Sequence, residues 1–453
     1  TLRPLRDLPD VYFANSKEAA FTRLAARFSQ TDSASGALRQ LFEGDLVYRG
    51  RVGALERAAG RGEEQLEDPA LAQELFGKRP FLSPTQVEVY HQCPFQYFCR
   101  YGLNAKERRP AEVDVLQYGT LMHFLFERIF REPAQVRAGW NEEELEGRGS
   151  GLIQEYAQEN MGGLGLLSGR EKYRLSRLCQ SACKLIRHVE EELAQSQFLP
   201  QHLEWGLGYG KDAPPLEILT AKGKVTVGGT IDRVDLYVDP KGKRFVRVID
   251  YKTGRKAFDL GDICHGLNIQ MLLYLFALER EGQAVFGHPV VPAGVMYLPA
   301  RDVLVNAPRS TDAAKVRAEL DRELRRSGLV LGQPEVLQAM EHSALDAPRF
   351  LPLTLGRDGS ITRGIATAAE LGKLGRYVDK LLERIARELR QGNIDADPCG
   401  RSENDSACTY CEFASACHFM EADDRDRMEV IRPVAPADFW AHVERTIGEE
   451  GER

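Results

Sequence analysis

Two β-branched runs near the middle of the chain, Lys224 to Val238 and Arg244 to Tyr251, are separated only by the turn-forming stretch Asp239-Pro240-Lys241-Gly242. That arrangement commits the centre of the molecule to a sheet. The periodicity then changes to that of a helix from Asn268 to Leu278 and returns to a strand from Ala293 to Leu298. Upstream, Ser83 is a plausible N-cap with Pro84 at the first helical position, and a second helix is expected from Gly119-Thr120. A longer helix is expected over Glu171 to Ala194, and the acidic, Gly-rich stretch from Trp140 to Gly151 reads as a surface loop. Further helices are expected from Thr311 to Arg326 and from Ala366 to Gln391, the second closed by Gly392-Asn393. Helix, strands, helix, strand is the order of an α/β core with a mixed sheet.

The strands also carry the sharpest chemistry. Residues two apart on a strand face the same side, so Asp250 and Lys252 project together at the end of an apolar run, Val248-Ile249. Carboxylates in such a place are costly unless they bind a cation. Paired hard oxygens suit Mg²⁺ or Mn²⁺, and a neighbouring ammonium can orient a water for attack on a phosphodiester. Asp-x-Lys is common by chance, and charges at strand ends are usually solvated. His123 on an apolar helix is by itself an ordinary core residue, and Gln270 with Tyr274 is by itself an ordinary i, i+4 surface pair. Taken together they form an ordered series: His on a helix, Asp232 on a strand, Asp250-x-Lys252 on the next, then Gln-x-x-x-Tyr on a helix.

That series resembles the RecB-type nucleases of the PD-(D/E)XK superfamily. The resemblance implies a restriction-endonuclease-like core with a mixed central sheet flanked by helices. It implies His123, Asp232 and Asp250 as metal ligands, with the Tyr251 carbonyl facing the metal, and Lys252 as the catalytic lysine. Gln270 and Tyr274 would position the DNA strand. Asp235 competes with Asp232 in Asp232-Arg233-Val234-Asp235, and the Gly-x-x-Asp pattern of the family favours Asp232.

Nine cysteines in a chain without a secretory pattern suggest metal ligands or core residues rather than disulfides. Cys408, Cys411 and Cys417 give C-x₂-C-x₅-C, one close pair where a zinc ribbon has two, and Cys93 is the best candidate for the missing fourth ligand. From spacing alone, structural zinc and an iron–sulfur cluster stand about level. The resemblance favours a [4Fe-4S] cluster stapling the two ends of the domain. Cys99, Cys179, Cys183, Cys264 and Cys399 fit no ligand position.

Further strings, among them Cys93-Pro94-Phe95-Gln96-Tyr97-Phe98, Gly294-Val295-Met296-Tyr297 and Gly392-Asn393-Ile394, are similar to B subunits of AddAB-type ATP-dependent helicase/deoxyribonucleases. The resemblance implies a helical lead-in over 1–80 that ends a helicase-like region, a nuclease domain over 81–421 and a tail over 422–453. It implies a Mg²⁺-dependent exonuclease in double-strand-break repair, acting on DNA, above all single-stranded ends, with an AddA-type partner. A non-catalytic DNA-binding scaffold and a CRISPR-associated exonuclease are the alternatives. No Gly-x-x-x-x-Gly-Lys-Ser/Thr loop is present, so ATP hydrolysis is not expected of this segment.

Composition is permissive. The chain has 453 residues, 43% of them hydrophobic and 28% charged, and no apolar run approaches the roughly 18 residues of a membrane span. A start at Thr1-Leu2-Arg3-Pro4 lacks a signal pattern, which suggests a cytoplasmic location and a fragment or processed piece. The net charge of -7 does not announce a nucleic-acid binder, but local basic residues can hold DNA on an acidic protein. Arg100, Lys106, Arg108 and Arg109, and Arg255 with Lys256, are either such a track or a solvated face.

Overall fold

The computed structural model describes residues 15–28, 33–59, 65–77, 81–106, 115–220, 223–254, 257–303, 305–308, 310–417, 419 and 428–448. The chain divides into two compact units, Thr1–Gln65 and Leu66–Arg453. The first holds helices Lys17–Ala26, Ser33–Gly44 and Arg49–Ala59 around its own cluster of Phe21, Leu24, Phe42 and Val52.

The second unit is built on six helices that matter here: α1 (Pro84–Gln92), α2 (Val115–Phe130), α3 (Glu142–Asn160), α4 (Gly169–Gln195), α5 (Gln270–Phe286) and α6 (Ala368–Gln391). They flank a six-stranded sheet of β1 (Leu199–Leu207), β2 (Gly229–Val238), β3 (Arg244–Lys252), β4 (Val291–Pro299), β5 (Ser327–Leu331) and β6 (Ile365–Ala366), in the order β6-β5-β4-β3-β2-β1. Neighbours are antiparallel except β3 with β4 and β5 with β6. The parallel β3–β4 step needs a long crossover, and α5 supplies it. The sheet is therefore mixed, as expected. Among the described residues no helix is long and apolar enough to cross a membrane.

Several local expectations hold in detail. Ser83 caps α1 in a capping box with Gln86, and Gly392 closes α6 in the left-handed conformation at φ 78°. Three need correction. The extended run from Lys224 is two strands, because the chain leaves a small sheet (Phe81–Leu82, Gly223–Val227, Leu216–Thr220) at Gly228 before entering β2. A Cβ at Gly228 would lie 2.8 Å from the Leu207 carbonyl and 2.6 Å from the Phe81 ring, so only glycine passes there. Helix α2 begins at Val115, which places Thr120 inside it rather than at its cap. Finally, most of the stretch read as a Gly-rich loop is the start of α3. Asn141 accepts from the Glu144 N–H and the Glu144 carboxylate accepts from the Asn141 N–H, both at 2.9 Å. Leu145, Ile153, Tyr156 and Ala157 then bury one helix face, and Gly149 lets α4 come close, since a Cβ there would meet Cys179 Sγ at 2.8 Å.

Beneath the sheet lies an ionic cluster. Asp235 on β2 accepts from Arg233 at 3.1 Å and from Arg247 on β3 at 2.9 Å. Glu192 on α4 accepts from Arg247 at 3.2 Å and from Arg326 at 2.5 Å. All five side chains are buried. They tie α4, β2, β3 and the start of β5 together. Burial alone would push the Glu192 carboxyl up, but the charges of Arg326, Arg247 and Arg233 overcome it and hold the group down at about 2, against an ordinary value near 4.5. A depressed folded-state value means that Glu192 stabilises the fold above pH 4.5 and that this contribution is lost as pH falls through about 2. Replacing it by Gln leaves buried guanidinium charge unpaired. Urea denaturation of Glu192→Gln is therefore expected to show a loss of about 3–5 kcal/mol at pH 7. Its stability should also fall less steeply than that of the wild type below pH 4.5. Equal stability of the two proteins at pH 7 would contradict this account.

Candidate metal centre and cysteine cluster

The register of two strands positions the acidic residues. Arg233 on β2 pairs with Ile249 on β3, so Asp232 and Asp250 stand one step further along, on adjacent strand ends. Asp232 and Asp235 are three residues apart and so face opposite sides of the sheet. Asp235 is consumed by the buried arginines, while Asp232 turns toward α2. Of the two, Asp232 is the one that stands beside His123.

Around Asp232 the groups converge. Its Oδ2 accepts from the Tyr251 N–H at 2.7 Å, and its Oδ1 lies 3.5 Å from His123 Nδ1. His123 Nε2 is 3.2 Å from the Tyr251 carbonyl oxygen, and its ring meets the Tyr251 ring edge-on with centroids 5.7 Å apart. Lys252 Nζ lies 2.5 Å from Asp250 Oδ2, as their shared strand face requires, and 5.5 Å from the centre of the Tyr297 ring. His123, Asp232, Asp250, the Tyr251 carbonyl and Lys252 are thus brought to one place.

Gln270 opens α5, and Tyr274 lies one turn on, buried, its hydroxyl meeting the Gln270 side chain and the Thr230 backbone. A Cβ at Gly229 would collide with that hydroxyl, which explains the glycine of Gly-x-x-Asp. Tyr274 is therefore a support beneath Gln270 and β2 rather than a surface residue, as its i, i+4 spacing alone would suggest.

The electrostatics favour a cation. Burial first, and the Asp250 charge second, hold the Asp232 carboxyl well above the usual carboxylate range. Burial pulls His123 down, yet its hydrogen bond to Glu204 and the charges of Asp232, Glu204 and Asp250 push it up to about 9. Crowded, desolvated acceptors that favour protons are the donor set a hard divalent cation replaces protons on.

Glu204 on β1 escapes a reading of the sequence. Its Oε1 lies 3.0 Å from His123 Nδ1, and His123, Glu204 and Asp232 offer donor atoms within 4.8 Å of one another. No alternation in the sequence marks Glu204, because the register shift between Pro200 and His202 and the positive φ at Glu204 break the period of the strand.

Cys93 ends α1, and with Cys408, Cys411 and Cys417 it lines a cavity of about 70 Å³ closed by Phe95, Pro398, Ala414 and Phe419. Burial pushes Cys93 up to about 12 and Cys408 to about 11, each raised further by neighbouring cysteines. Arg100 joins the same two chain segments by a forked pair to Glu412 at 2.6 and 2.9 Å. Of the basic residues considered for DNA, Arg100 is thus paired with a carboxylate. Lys106 is exposed, while Arg108, Arg109, Arg255 and Lys256 lie outside the described residues. Cys179 and Cys183 pack between α4 and α3, consistent with a packing role.

The model of the PD-(D/E)XK nuclease superfamily matches residues 81–418. The chain is also similar to proteins described as the B subunit of an ATP-dependent helicase/deoxyribonuclease. In Clostridium novyi the identity is 32% over 83% of this chain and 34% of the relative. In Clostridium tetani it is 31% over 78% and 31%. In Clostridium acetobutylicum it is 26% over 94% and 36%. The chain spans about a third of the length of these curated relatives.

Proposed function

The chain belongs to the PD-(D/E)XK nuclease superfamily, and from that premise we propose that it is the nuclease part of a cytoplasmic helicase–nuclease that processes DNA ends during double-strand-break repair. The observation that carries the reading is the meeting of Asp232, Asp250, Lys252 and His123 at the ends of β2 and β3. In this reading His123, Asp232, Asp250 and the Tyr251 carbonyl hold Mg²⁺ or Mn²⁺. A divalent cation so held supplies Lewis-acid polarisation of the scissile phosphate and lowers the pKa of an attacking water. Asp250 keeps the Lys252 ammonium at the strand end, where it orients that water and offsets charge building on the phosphate. Gln270, braced by Tyr274, contacts the substrate strand at the head of α5.

The names of the relatives point to an assembly, so we extend the reading to an AddA-type partner and to exonucleolytic action on single-stranded ends. Cys93, Cys408, Cys411 and Cys417 would hold a [4Fe-4S] cluster that fastens α1 to the end of the domain. Four thiols line one cavity, and Cys93 and Cys408 among them are raised by burial and then by neighbouring cysteines, which supports a site where iron would stabilise the thiolates.

Cleavage of end-labelled single-stranded DNA with Mg²⁺ tests the active site. Asp250→Ala and Lys252→Ala should each lower the rate by about a hundredfold or more while leaving the fold intact by circular dichroism. A wild type that binds DNA yet never cuts it, even with an AddA-type partner and ATP, would make the chain a DNA-binding scaffold instead. For the cluster, anaerobically purified protein should be brown, with about four iron and four sulfide per chain, and Cys411→Ser should lose the colour. Stoichiometric zinc without iron would contradict it.

A further inference from the structure

Glu204 stands in a conformation that a strand does not ask for. It lies inside β1 with φ at 45°, in the left-handed region that L-residues other than glycine rarely occupy. Leu203 pairs with Arg233 and Trp205 with Ile231, so Glu204 sits across from Asp232. The ladder is already irregular just before it, between Pro200 and His202. A glycine would relieve the backbone there. The side chain that is present instead is a half-buried carboxylate whose Oε1 meets His123 Nδ1 at 3.0 Å. A strained residue held at a site is a reason to look for a function.

The His123 ring has two nitrogens and two distinct surroundings. Nε2 is 3.2 Å from the Tyr251 carbonyl oxygen, a spacing close to the roughly 3 Å between neighbouring donors of one octahedral cation. Nδ1 faces Glu204 at 3.0 Å, whereas Asp232 is further off at 3.5 Å and already accepts from the Tyr251 N–H through its other oxygen. We infer that Glu204 is a positioning residue: it accepts the Nδ1–H proton of His123, fixes the ring, and leaves the Nε2 lone pair directed to the cation beside the Tyr251 carbonyl. The inference rests on the metal-centre reading of the proposed function. The carboxylate orients the imidazole and strengthens it as a donor, in the way that carboxylates behind metal-bound histidines do. The strained turn at Glu204 is what brings a β1 side chain to the back of a ring carried by α2.

Mn²⁺ titration of the purified chain, followed by calorimetry and by the electron paramagnetic resonance of free Mn²⁺, tests this without cleavage. Glu204→Ala and Glu204→Gly should weaken Mn²⁺ binding by about 10–100-fold. Glu204→Gly should at the same time keep or raise the melting temperature, because it relieves the positive φ. Glu204→Gln, whose amide oxygen can still accept the Nδ1–H, should keep most of the affinity, whereas Asp232→Asn should not. Wild-type affinity in Glu204→Ala would overturn the inference while leaving the metal centre standing. A loss in Glu204→Gln as large as in Asp232→Asn would overturn it too, by making Glu204 a ligand itself. A wild type that binds no Mn²⁺ would remove the metal centre and the inference together.

Discussion

The pairing of β2 with β3 is the constraint from which the rest of the second unit follows. One register, Arg233 against Ile249, sets two acidic residues on adjacent strand ends and sends their neighbours into the opposite layer. On that other side, Asp235, Arg233 and Arg247 complete a buried ionic cluster with Glu192 and Arg326. A slip of one residue would exchange the two faces, burying Asp232 among apolar helices and stranding three guanidinium groups. Such a cluster adds little net stability compared with well-packed apolar side chains, but breaking it is costly. It thus penalises every register but the one that assembles the candidate site.

Much of this is legible in the sequence, for identifiable reasons. The Asp250-x-Lys252 face and the mixed sheet follow from period-two geometry and from the crossover that α5 must make. The family pattern favours Asp232 over Asp235, and the odd spacing of the two, which forces them to opposite faces, gives the physical reason. What escapes reading is tertiary. The glycines of α3 look like loop residues because their use, close approach to Cys179 on α4, involves a helix far along the chain. Glu204 escapes because its backbone is bent out of the strand conformation that periodicity assumes. Tyr274 looks like a surface residue because nothing local says that Gly229 makes room for it.

The two proposed inorganic sites answer the same electrostatic problem in different materials. At the strand ends, burial and the Asp250 charge raise the Asp232 carboxyl, and the surrounding carboxylates raise the His123 imidazole against the effect of its burial. Between α1 and the Cys408–Cys417 segment, burial and then neighbouring cysteines raise the thiols of Cys93 and Cys408. Hard oxygen donors suit a small divalent ion, and sulfur donors suit iron. The second site also has a mechanical consequence. Cys93 and Cys417 are far apart in sequence, as are Arg100 and Glu412, so a bond at this point closes a very long loop and holds α1 against the end of the domain.

The central claim is that Asp232, Asp250, His123 and the Tyr251 carbonyl share one divalent ion. The most direct measurement is a crystal structure grown with Mn²⁺, with anomalous scattering used to place the metal. The account predicts a peak within coordination distance of all four groups, with Lys252 beside it but not bound. Mn²⁺ seated away from Asp232 and Asp250, with His123 still turned inward, would contradict it.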